Sequence, residues 1–541
     1  MRGLGPSFHR LGFFMSAMLH GKHFLAGTHR GSDHTTTAIS PLTGVALPGQ
    51  FSIASPADVD AAMQAAAEAF PAFAATTGQQ RAAFLERIAE EILAIGDTLL
   101  ERAHLETALP LPRLTGERGR TVGQLRLFAE AAREAAWVDA RIDRAQPDRQ
   151  PLPRPDLRRM KHPLGPVVVF GSSNFPLAFS VAGGDTASSL CTGNPVVVKA
   201  HSAHPGTSEL VATAIVRAAA ACGLPAGVFS MLHGEGRVVG TALVRHPATR
   251  AVGFTGSRAA GRSLCDVAAA RPDPIPVFAE MSSLNPVFLL PGALAERGAE
   301  IAKGFVASMT LGVGQFCTKP GLVFAVAGPA LERFRTLMGE AVATAPVGSM
   351  LTPGILTNFE HARDTLLSAG NARVLARSSA EVDRSKTQAA PLVAETTAKA
   401  FLAESAMREE VFGPFGLLVT AESEEELRLI ARSLDGQLTA TIHGTPADLV
   451  AATDLLSILA CAAGRVIVNG FPTGVEVCHA MQHGGPWPAT SDARFTSVGT
   501  AALERFVRPV CYQDVPDQLL PPALQDANPL GISRLVDGIR T

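Results

Sequence analysis

One cysteine lies in a loop whose neighbouring residues favour an exposed thiol. Cys317 stands in "VGQFCTKPG" (residues 313–321), with glycines before it and a proline after it. A thiol in such a loop is accessible, and its own backbone N–H can donate to an oxyanion. A cysteine taken alone is more often a small buried apolar residue. Cys317 is therefore a candidate nucleophile, and Lys319 either lowers the pKa of this thiol or is a solvated side chain.

Four further loops hold side chains that suit a ligand site. Asn174 in "GSSNFPLAFS" can aim its amide N–H at an oxygen, or it is a cap or turn residue. Lys199, at the end of "PVVVK", can hold a phosphate or a ribose hydroxyl, or it is a solvated strand end. The Gly256-Ser257 step in "GFTGSRAAGR" opens a helix, and a helix N-terminus favours an anion. Burial is expected to raise the pKa of Glu280, in "AEMSSLNP", toward that of a general base, unless this acid is a solvated strand end.

Short apolar runs alternate with helical segments from residue 165 onward, and these elements must position the loops. The predicted strands are residues 166–170, 195–200, 228–232, 250–254 and 276–281, and residues 207–223 are a predicted helix among them. Strands that alternate with helices predict βαβ units and a buried parallel sheet. Ligands of such sheets bind at the carboxyl ends of the strands. A second α/β region opens with residues 285–290, and its helix 293–312 leads into the Cys317 loop.

The segments outside this α/β pattern predict helices and an extended arm. Residues 56–74, 78–108 and 113–136 are predicted helices. Residues 144–159 contain four prolines and many charges, which excludes a core helix. This segment is either a flexible linker or an extended arm, and we expect the arm because extended residues continue up to the first strand. A strand-like "RPVCYQDVP" lies in the tail.

Composition limits the class of protein and its partners. With 541 residues the chain is too long for one core, so two or three domains are expected. The formal net charge of −2 gives no general attraction to nucleic acid or to an anionic membrane, and we expect neither as a partner. The uncharged run at residues 163–184 is interrupted by glycine, proline, serine and asparagine, which argues against a transmembrane helix.

Seven cysteines and the first 30 residues bear on the compartment. No cysteine forms a CxxC pair or has metal-ligand spacing with a histidine, which predicts no metal site and a reduced, cytoplasmic setting. The first 30 residues lack aspartate and glutamate and contain arginine and lysine. They are either a transit peptide or the product of an upstream start codon, and we favour a working start at Met15 or Met18.

Six loops, taken in order, resemble the aldehyde dehydrogenase superfamily across about residues 20–515. They are "SSNFPLAFS" with Asn174, Lys199, "FTGS", Glu280 before "NP", "GQFCT" with Cys317, and "REEVFGPF" at residues 408–415. The resemblance implies an α/β fold with a Rossmann-type parallel-sheet domain, a second α/β catalytic domain and a small oligomerisation arm. The expected boundaries are 20–143 and 164–284 for the dinucleotide-binding domain, 285–492 for the catalytic domain, 144–163 and 493–515 for the arm, and 1–19 and 516–541 for terminal extensions.

The resemblance also implies a role for each candidate residue. Cys317 attacks the aldehyde carbon as a thiolate, while the amide of Asn174 and the Cys317 N–H stabilise the oxyanion. Glu280 then activates the water that releases the acid. The implied cofactor contacts are Lys199 with the adenine ribose, Gly256 and Ser257 with the pyrophosphate, Glu410 with the nicotinamide ribose, and Phe412 beside the nicotinamide.

One departure from the family pattern bears on the cofactor. Members that prefer NAD often have a glutamate three residues after the lysine, where this chain has Ser202. A carboxylate there would repel a 2′-phosphate, whereas a serine can donate to it. Arg237 in "GEGRVVG" can supply a cation, as a similar arginine does in a relative from luminous bacteria. We therefore expect NADP as the preferred cofactor, with NAD as an alternative.

Within the superfamily, several stretches are similar to the α-ketoglutaric semialdehyde dehydrogenases. They include "FPLAFSVAGGDTASSL", "KAHSAHPGTSE", "FAEMSSLNPV" and "MQHGGPWPAT". The expected reaction is the NADP-dependent oxidation of 2,5-dioxopentanoate to 2-oxoglutarate through a cysteine thioester. The alternative is a long-chain fatty-aldehyde dehydrogenase, like the NADP-linked enzyme of luminous bacteria. A catalytically silent protein on the same scaffold would need a broken Cys, Glu or Asn, and all three are present.

A semialdehyde with a carboxylate needs a cation in its tunnel. Residues 113–126 include Arg113, Arg118, Arg120 and Arg126, and residues 113, 117, 120 and 124 share one helical face. Arg120 resembles by position a tunnel-lining residue of the family, and Phe175 and Phe471 are the other expected substrate contacts. An exposed helix arginine is the alternative for Arg120. By analogy with the family, we expect a homodimer or a homotetramer.

Overall fold

The computed structural model of the protein describes residues 19–369 and 371–541. The expected start at Met15 or Met18, and the alternative transit peptide, lie outside the described residues. The α-helices are Pro56–Ala74, Gly78–Ala94, Asp97–Thr107, Leu111–Glu134, Gly184–Cys191, Pro205–Ala221, Thr241–Arg245, Arg258–Ala269, Pro291–Thr310, Pro329–Thr344, Pro353–Ser368, Ala398–Ala403, Glu424–Ser433, Pro446–Ala451 and Thr453–Ala462.

The three helices expected before the first sheet are present, with one correction. The helix Pro56–Ala74 is confirmed, and its Ser55 side chain accepts from the backbone N–H of Asp58 in a capping box. The predicted helix 78–108 is wrong as one element, because Gly96 adopts a φ of 68° and separates two helices. The predicted helix 113–136 is Leu111–Glu134.

The first seven-stranded sheet contains the five strands expected from the valine-rich runs. In spatial order its strands are Val277–Glu280, Ala251–Thr255, Val167–Phe170, Val196–Lys199, Phe229–Leu232, His23–Leu25 and Thr28–Arg30. The first five are parallel, and His23–Leu25 joins them antiparallel. Val167 and Val169 pack into one hydrophobic cluster and Val168 into another. Both faces of this sheet are therefore covered, as expected of parallel strands that are apolar throughout.

A second seven-stranded sheet follows in the chain. Its strands, in spatial order, are Arg373–Arg377, Leu392–Thr397, Phe415–Ala421, Leu322–Val326, Val287–Leu289, Gln437–His443 and Ala463–Val468. All neighbours are parallel except the antiparallel pair formed by Arg373–Arg377 and Leu392–Thr397. The helix Pro291–Thr310 ends just before the Cys317 loop, and that loop leads directly into Leu322–Val326.

The proline-rich segment continues into an extended arm. Leu157–Pro163 pairs antiparallel with Val507–Gln513 and with Arg141–Asp143. Leu535–Val536 and Ile539–Arg540 complete a five-stranded sheet, so the last residues of the chain pair with the arm beyond the expected boundary at residue 515. Two-stranded sheets form from Thr35–Thr36 with Phe51–Ser52 and from Gly348–Ser349 with Gln388–Ala389.

Over residues 19–369 and 371–541, every helix is too short or too polar to cross a membrane.

Candidate active site

A cavity of about 720 Å³ opens at the carboxyl ends of the first sheet's strands. Its size falls within the range of small-molecule and cofactor sites. Nine of the residues singled out from the sequence line it: Asn174, Lys199, Ser202, Gly256, Ser257, Glu280, Cys317, Glu410 and Phe412. The structure thus brings loops from both seven-stranded sheets to one cavity.

Cys317 lies at this cavity beside a carboxylate and an imidazole. Its Sγ is 3.5 Å from His483 Nε2, and the same nitrogen is 2.9 Å from Glu280 Oε1. The second carboxylate oxygen, Oε2, accepts a hydrogen bond of 2.6 Å from Ser497 Oγ. His483 and Glu280 are buried, whereas Cys317 is partly exposed to the cavity. A single nitrogen therefore faces both the thiol and the carboxylate, which is the arrangement required to move a proton between them.

The pKa values of these groups follow from their burial and mutual charge. Burial and the Glu280 carboxylate raise the pKa of the Cys317 thiol well above its usual range, while the charge of Arg120 works in the opposite direction. Burial also acts to raise the pKa of Glu280, but His483, Ser497 and Cys317 together hold it below its usual value. The expectation of a raised Glu280 pKa is wrong, because the sequence did not reveal these partners. Cys317 needs a base, and Glu280 is available as an anion.

Asn174 is fixed next to the cysteine loop. Its side-chain Nδ2 donates to the backbone carbonyl oxygen of Gln315 at 3.0 Å, and its backbone carbonyl oxygen accepts from Arg113 Nη2 at 2.6 Å. The following backbone is also held, since Glu117 Oε1 accepts from the N–H groups of Leu177 and Ala178. Glu117 and Arg113 lie one turn apart on Leu111–Glu134, so this helix sets the position of the Asn174 loop.

The cysteine loop itself is held by a buried asparagine. Asn285 Nδ2 donates to the carbonyl oxygens of Cys317 and Lys319, at 2.9 and 3.0 Å. Its Oδ1 accepts from the hydroxyls of Ser283 and Thr439. A fully satisfied buried amide of this kind fixes the backbone on both sides of Thr318. The position of the thiol is therefore set by the backbone of its loop.

The residues expected to hold a dinucleotide fit that purpose in donor type and placement. Lys199 is buried at the end of its strand, and burial lowers the pKa of its ammonium to about 8. Ser257 caps the helix Arg258–Ala269, and residues of that first turn line the cavity. A helix N-terminus and a buried ammonium both favour a phosphate. Ser202 lines the same cavity, and Arg237 is exposed in the turn Gly236–Gly240, whose first residue lines it.

The third part of the cavity comes from residues 408–412. Glu410 and Phe412 line it, as does Glu409, which is 3.6 Å from Arg258. The enclosure of Glu410 raises the pKa of its carboxyl to about 7, although the nearby ammonium of Lys319 acts to lower it. Lys319 is buried, so the solvated alternative for this residue is wrong. The structure does not support the alternative that Lys319 lowers the thiol pKa, because Lys319 is not among the main groups that set this pKa.

Arg120 and Phe175 lie in an apolar cluster behind the cysteine. Phe175 packs against Phe316, the residue before Cys317, with ring centroids 5.3 Å apart. The Arg120 guanidinium lies 5.0 Å from the ring centroid of Phe179 and 5.8 Å from that of Phe175. Its Nε and Nη2 are buried and lack a hydrogen-bond partner among the described residues. Leaving the buried hydrogen-bond donors of a cation unpaired is costly in free energy, so Arg120 is suited to bind the anionic group of a ligand.

Phe471 is placed differently from the other expected substrate contacts. Its ring packs against His443 and Phe305, with centroids 4.9 and 6.4 Å away, and Phe471 is partly buried against the core of the second sheet. The loop that contains Phe471 nevertheless reaches the apolar cluster, because Val475 and Val477 pack against Phe175, Phe179 and Phe316. Val475 and Val477, which follow Phe471 in the chain, are therefore the residues of this loop that reach the site.

Sequence reasoning missed His483 and Arg465. His483 lies within "MQHGGPWPAT", a stretch noticed only for its resemblance, and a lone histidine in a glycine-rich loop offers no pattern. Arg465, on the strand Ala463–Val468, donates to the carbonyl oxygens of Pro472 and Gly474 and so holds the loop beside the apolar cluster. A search for polar residues in the segments of strongest resemblance would have found His483.

Comparison with known proteins identifies the class. The aldehyde dehydrogenase family model matches residues 28–489. The chain belongs to this family, and it is an aldehyde-oxidising oxidoreductase with the α/β fold expected from the sequence. Two solved structures share the fold. They are betaine aldehyde dehydrogenase from Staphylococcus aureus (TM-score 0.80, 19% identity, 94% of this chain and 98% of that chain) and an NADP-dependent enzyme from E. coli (TM-score 0.78, 23% identity, 92% and 99%).

Two curated relatives are much more similar in sequence. The chain is 57% identical over 509 residues to α-ketoglutaric semialdehyde dehydrogenase 2 of Azospirillum brasilense, covering 94% of this chain and 97% of the relative. It is 48% identical over 523 residues to α-ketoglutaric semialdehyde dehydrogenase of Acinetobacter baylyi, covering 96% and 99%. The resemblance to this group within the superfamily is therefore confirmed.

Proposed function

We propose that the protein oxidises α-ketoglutaric semialdehyde (2,5-dioxopentanoate) to 2-oxoglutarate with NADP as the preferred cofactor. The observation that supports this substrate over a fatty aldehyde is Arg120, which lies in the cluster behind Cys317 and whose buried Nε and Nη2 have no hydrogen-bond partner among the described residues. The substrate's carboxylate satisfies these donors, whereas an alkyl chain leaves them buried and unpaired. The identity to semialdehyde dehydrogenases supports the same substrate.

The first step is attack by Cys317 on the aldehyde carbon. The thiol has a raised pKa, so its proton must pass to a neighbour as the bond between Sγ and carbon forms. This proton passes to the Glu280–His483 pair, whose Oε1 and Nε2 lie 2.9 Å apart and whose Nε2 lies 3.5 Å from Sγ. The aldehyde oxygen becomes an oxyanion, which receives N–H groups from the Asn174 side chain and the Cys317 backbone.

The chemistry that a nicotinamide cofactor supplies when bound is acceptance of the hydride from the aldehyde carbon. The residues that would hold it are the cavity-lining Lys199, Ser202, Gly256, Ser257, Glu410 and Phe412, together with Arg237, which directly follows the lining residue Gly236. For the 2′-phosphate that distinguishes NADP from NAD, Ser202 offers a hydroxyl and Arg237 a cation. The acyl group left on Cys317 is a thioester, and Glu280, held by Ser497, accepts the proton of the water that hydrolyses it.

Steady-state kinetics with a matched set of aldehydes tests this proposal. The purified enzyme is assayed with α-ketoglutaric semialdehyde, succinic semialdehyde, pentanal and decanal, each with NADP and with NAD. We expect the highest kcat/KM with α-ketoglutaric semialdehyde and NADP. A higher kcat/KM with decanal would favour the fatty-aldehyde alternative, and a higher kcat/KM with NAD would overturn the cofactor preference.

We further propose that the protein works in the cytoplasm as a homodimer or a homotetramer. All seven cysteines are free, which suits a reducing compartment. Val507–Gln513 lies at one edge of the five-stranded sheet, and an edge strand of this kind can pair with a second copy of the chain. Light scattering coupled to size-exclusion chromatography measures the mass. The mass of one chain would contradict the proposed assembly.

A further inference from the structure

Lys319 joins the cysteine loop to the loop of Glu410. Its side chain is only 2% exposed, and its Nζ donates to the carbonyl oxygens of Val411 and Phe415, each at 3.0 Å. These two carbonyls lie on either side of Phe412, and Val411 directly follows Glu410. A buried ammonium is costly unless it is paired and hydrogen-bonded, so this placement needs a compensating function.

A second contact holds the same two loops together on the other side of Cys317. Gly314 adopts a φ of 67°, and a Cβ at this position would lie 2.2 Å from the carbonyl carbon and oxygen of Gly413. Only glycine permits both this conformation and this approach. Contacts at Gly314 and at Lys319 therefore bracket the thiol and fix it relative to residues 411–415.

The charge of Lys319 also acts on Glu410. Burial raises the pKa of the Glu410 carboxyl to about 7, and Lys319 is the largest influence that lowers it, followed by hydrogen bonds from Ser282 and Ser283. Cys317 is the other titratable group of the cysteine loop that interacts with Glu410. The remaining charged groups that line this cavity are Lys199, Arg258, Glu280, Arg408, Glu409 and Asp435. Burial lowers the pKa of the Lys319 ammonium itself to about 8.

We propose that Lys319 is a positioning residue that fixes residues 411–415 against the cysteine loop and so places the adjoining Glu410 for contact with the cofactor's ribose. The inference rests on the proposed function, in which Glu410 contacts that ribose. It assigns to the lysine two positions after the nucleophile a role in cofactor binding, and none in activating the thiol.

The sign of the expected pH effect follows from the Glu410 carboxyl. A ribose hydroxyl donates to the ionised carboxylate, so cofactor affinity is highest above the Glu410 pKa of about 7 and falls as the pH drops through it. Without the ammonium of Lys319, the Glu410 pKa rises further, and the fall in affinity moves to higher pH. A rise of one unit, from about 7 to about 8, lowers the ionised fraction of Glu410 at pH 7 from about one half to about one tenth, so the affinity at pH 7 falls about fivefold.

The test measures the dissociation constant of NADP+ by isothermal titration calorimetry between pH 6 and pH 9. The variants are Lys319→Met, which removes the charge and the donors, Lys319→Gln, which removes the charge and keeps a donor, and Glu410→Gln. The double variant Lys319→Met/Glu410→Gln completes a cycle. Thr318→Val is the matched control, because Thr318 is equally buried in the same loop and its hydroxyl lacks a partner among the described residues.

We expect the affinity of Lys319→Met for NADP+ at pH 7 to fall about fivefold, and its pH midpoint to move up by about one unit. Glu410→Gln removes the pH dependence, and adding Lys319→Met to it then lowers the affinity less than Lys319→Met lowers it in the wild-type background. Thr318→Val keeps the wild-type midpoint. If Lys319→Met does not fold, Lys319→Gln must show the same upward shift.

An unchanged midpoint in the folded Lys319 variants would overturn the inference, as would equal losses from Lys319→Met with and without Glu410→Gln. The second result would mean that the lysine acts on the fold alone. Failure of the proposed function is a separate outcome, since it would appear in the wild-type enzyme as absent aldehyde oxidation, whatever the binding curves show.

Discussion

Replacing Arg120 with methionine removes a guanidinium and keeps a side chain of similar length. Hydrogen bonds to charged groups contribute about 1.5–3 kcal/mol each. Loss of one such bond to the substrate's carboxylate lowers kcat/KM for α-ketoglutaric semialdehyde by roughly 10- to 150-fold. Pentanal has the same chain length and no carboxylate, so it does not make this bond. The prediction is therefore a change in the ratio of the two kcat/KM values, measured from NADPH absorbance.

The ratio separates substrate recognition from the effect of Arg120 on the nucleophile. Arg120 also acts to lower the pKa of Cys317, so its removal slows both aldehydes by one common factor that cancels in the ratio. Arg126→Met on the exposed side of the same helix is the control and should leave both values unchanged. Equal losses for the two aldehydes would refute the reasoning and remove Arg120 from the substrate site.

Four other changes test the remaining parts of the site. Cys317→Ala should abolish NADPH formation, and retained turnover would exclude this residue as the nucleophile. Asn174→Ala should lower kcat by about 10²–10³-fold through loss of an oxyanion donor, in stopped-flow measurements of the first turnover. Glu280→Gln should release one equivalent of NADPH per site in a burst and then stall, and linear turnover at the wild-type rate would contradict its role in hydrolysis. Gly314→Ala should lower the free energy of unfolding in urea by about 1–3 kcal/mol, whereas Gly119→Ala, on an open helix face, should not lower it.

The strands of the first sheet could be predicted because their sequence signal is local. The run "VVVF" and the three valines before Lys199 are apolar at every position, as a strand covered on both faces requires. The loops after these strands could then be placed at one end of the sheet. The division of the predicted helix 78–108 at Gly96 was missed, because a single glycine is tolerated in many helices and its positive φ is a result of packing.

The partners of the nucleophile depend on contacts between residues far apart in the chain. His483 lies 166 residues after Cys317, and only the folded chain brings its Nε2 to the thiol. The acceptors of Lys319 lie 92 and 96 residues after it, and a lysine near a surface loop usually points to solvent. The pKa of Glu280 was predicted with the wrong sign for the same reason, since its direction depends on His483 and Ser497.

Mass spectrometry of the Glu280→Gln variant is the most direct test of the account. The variant is mixed with α-ketoglutaric semialdehyde and NADP+, quenched in acid and digested. The account predicts the 2-oxoglutaryl group as a thioester on the peptide that contains Cys317, with one NADPH formed for each acylated chain. NADPH formation without this adduct, or an adduct on another of the seven cysteines, would contradict the central claim.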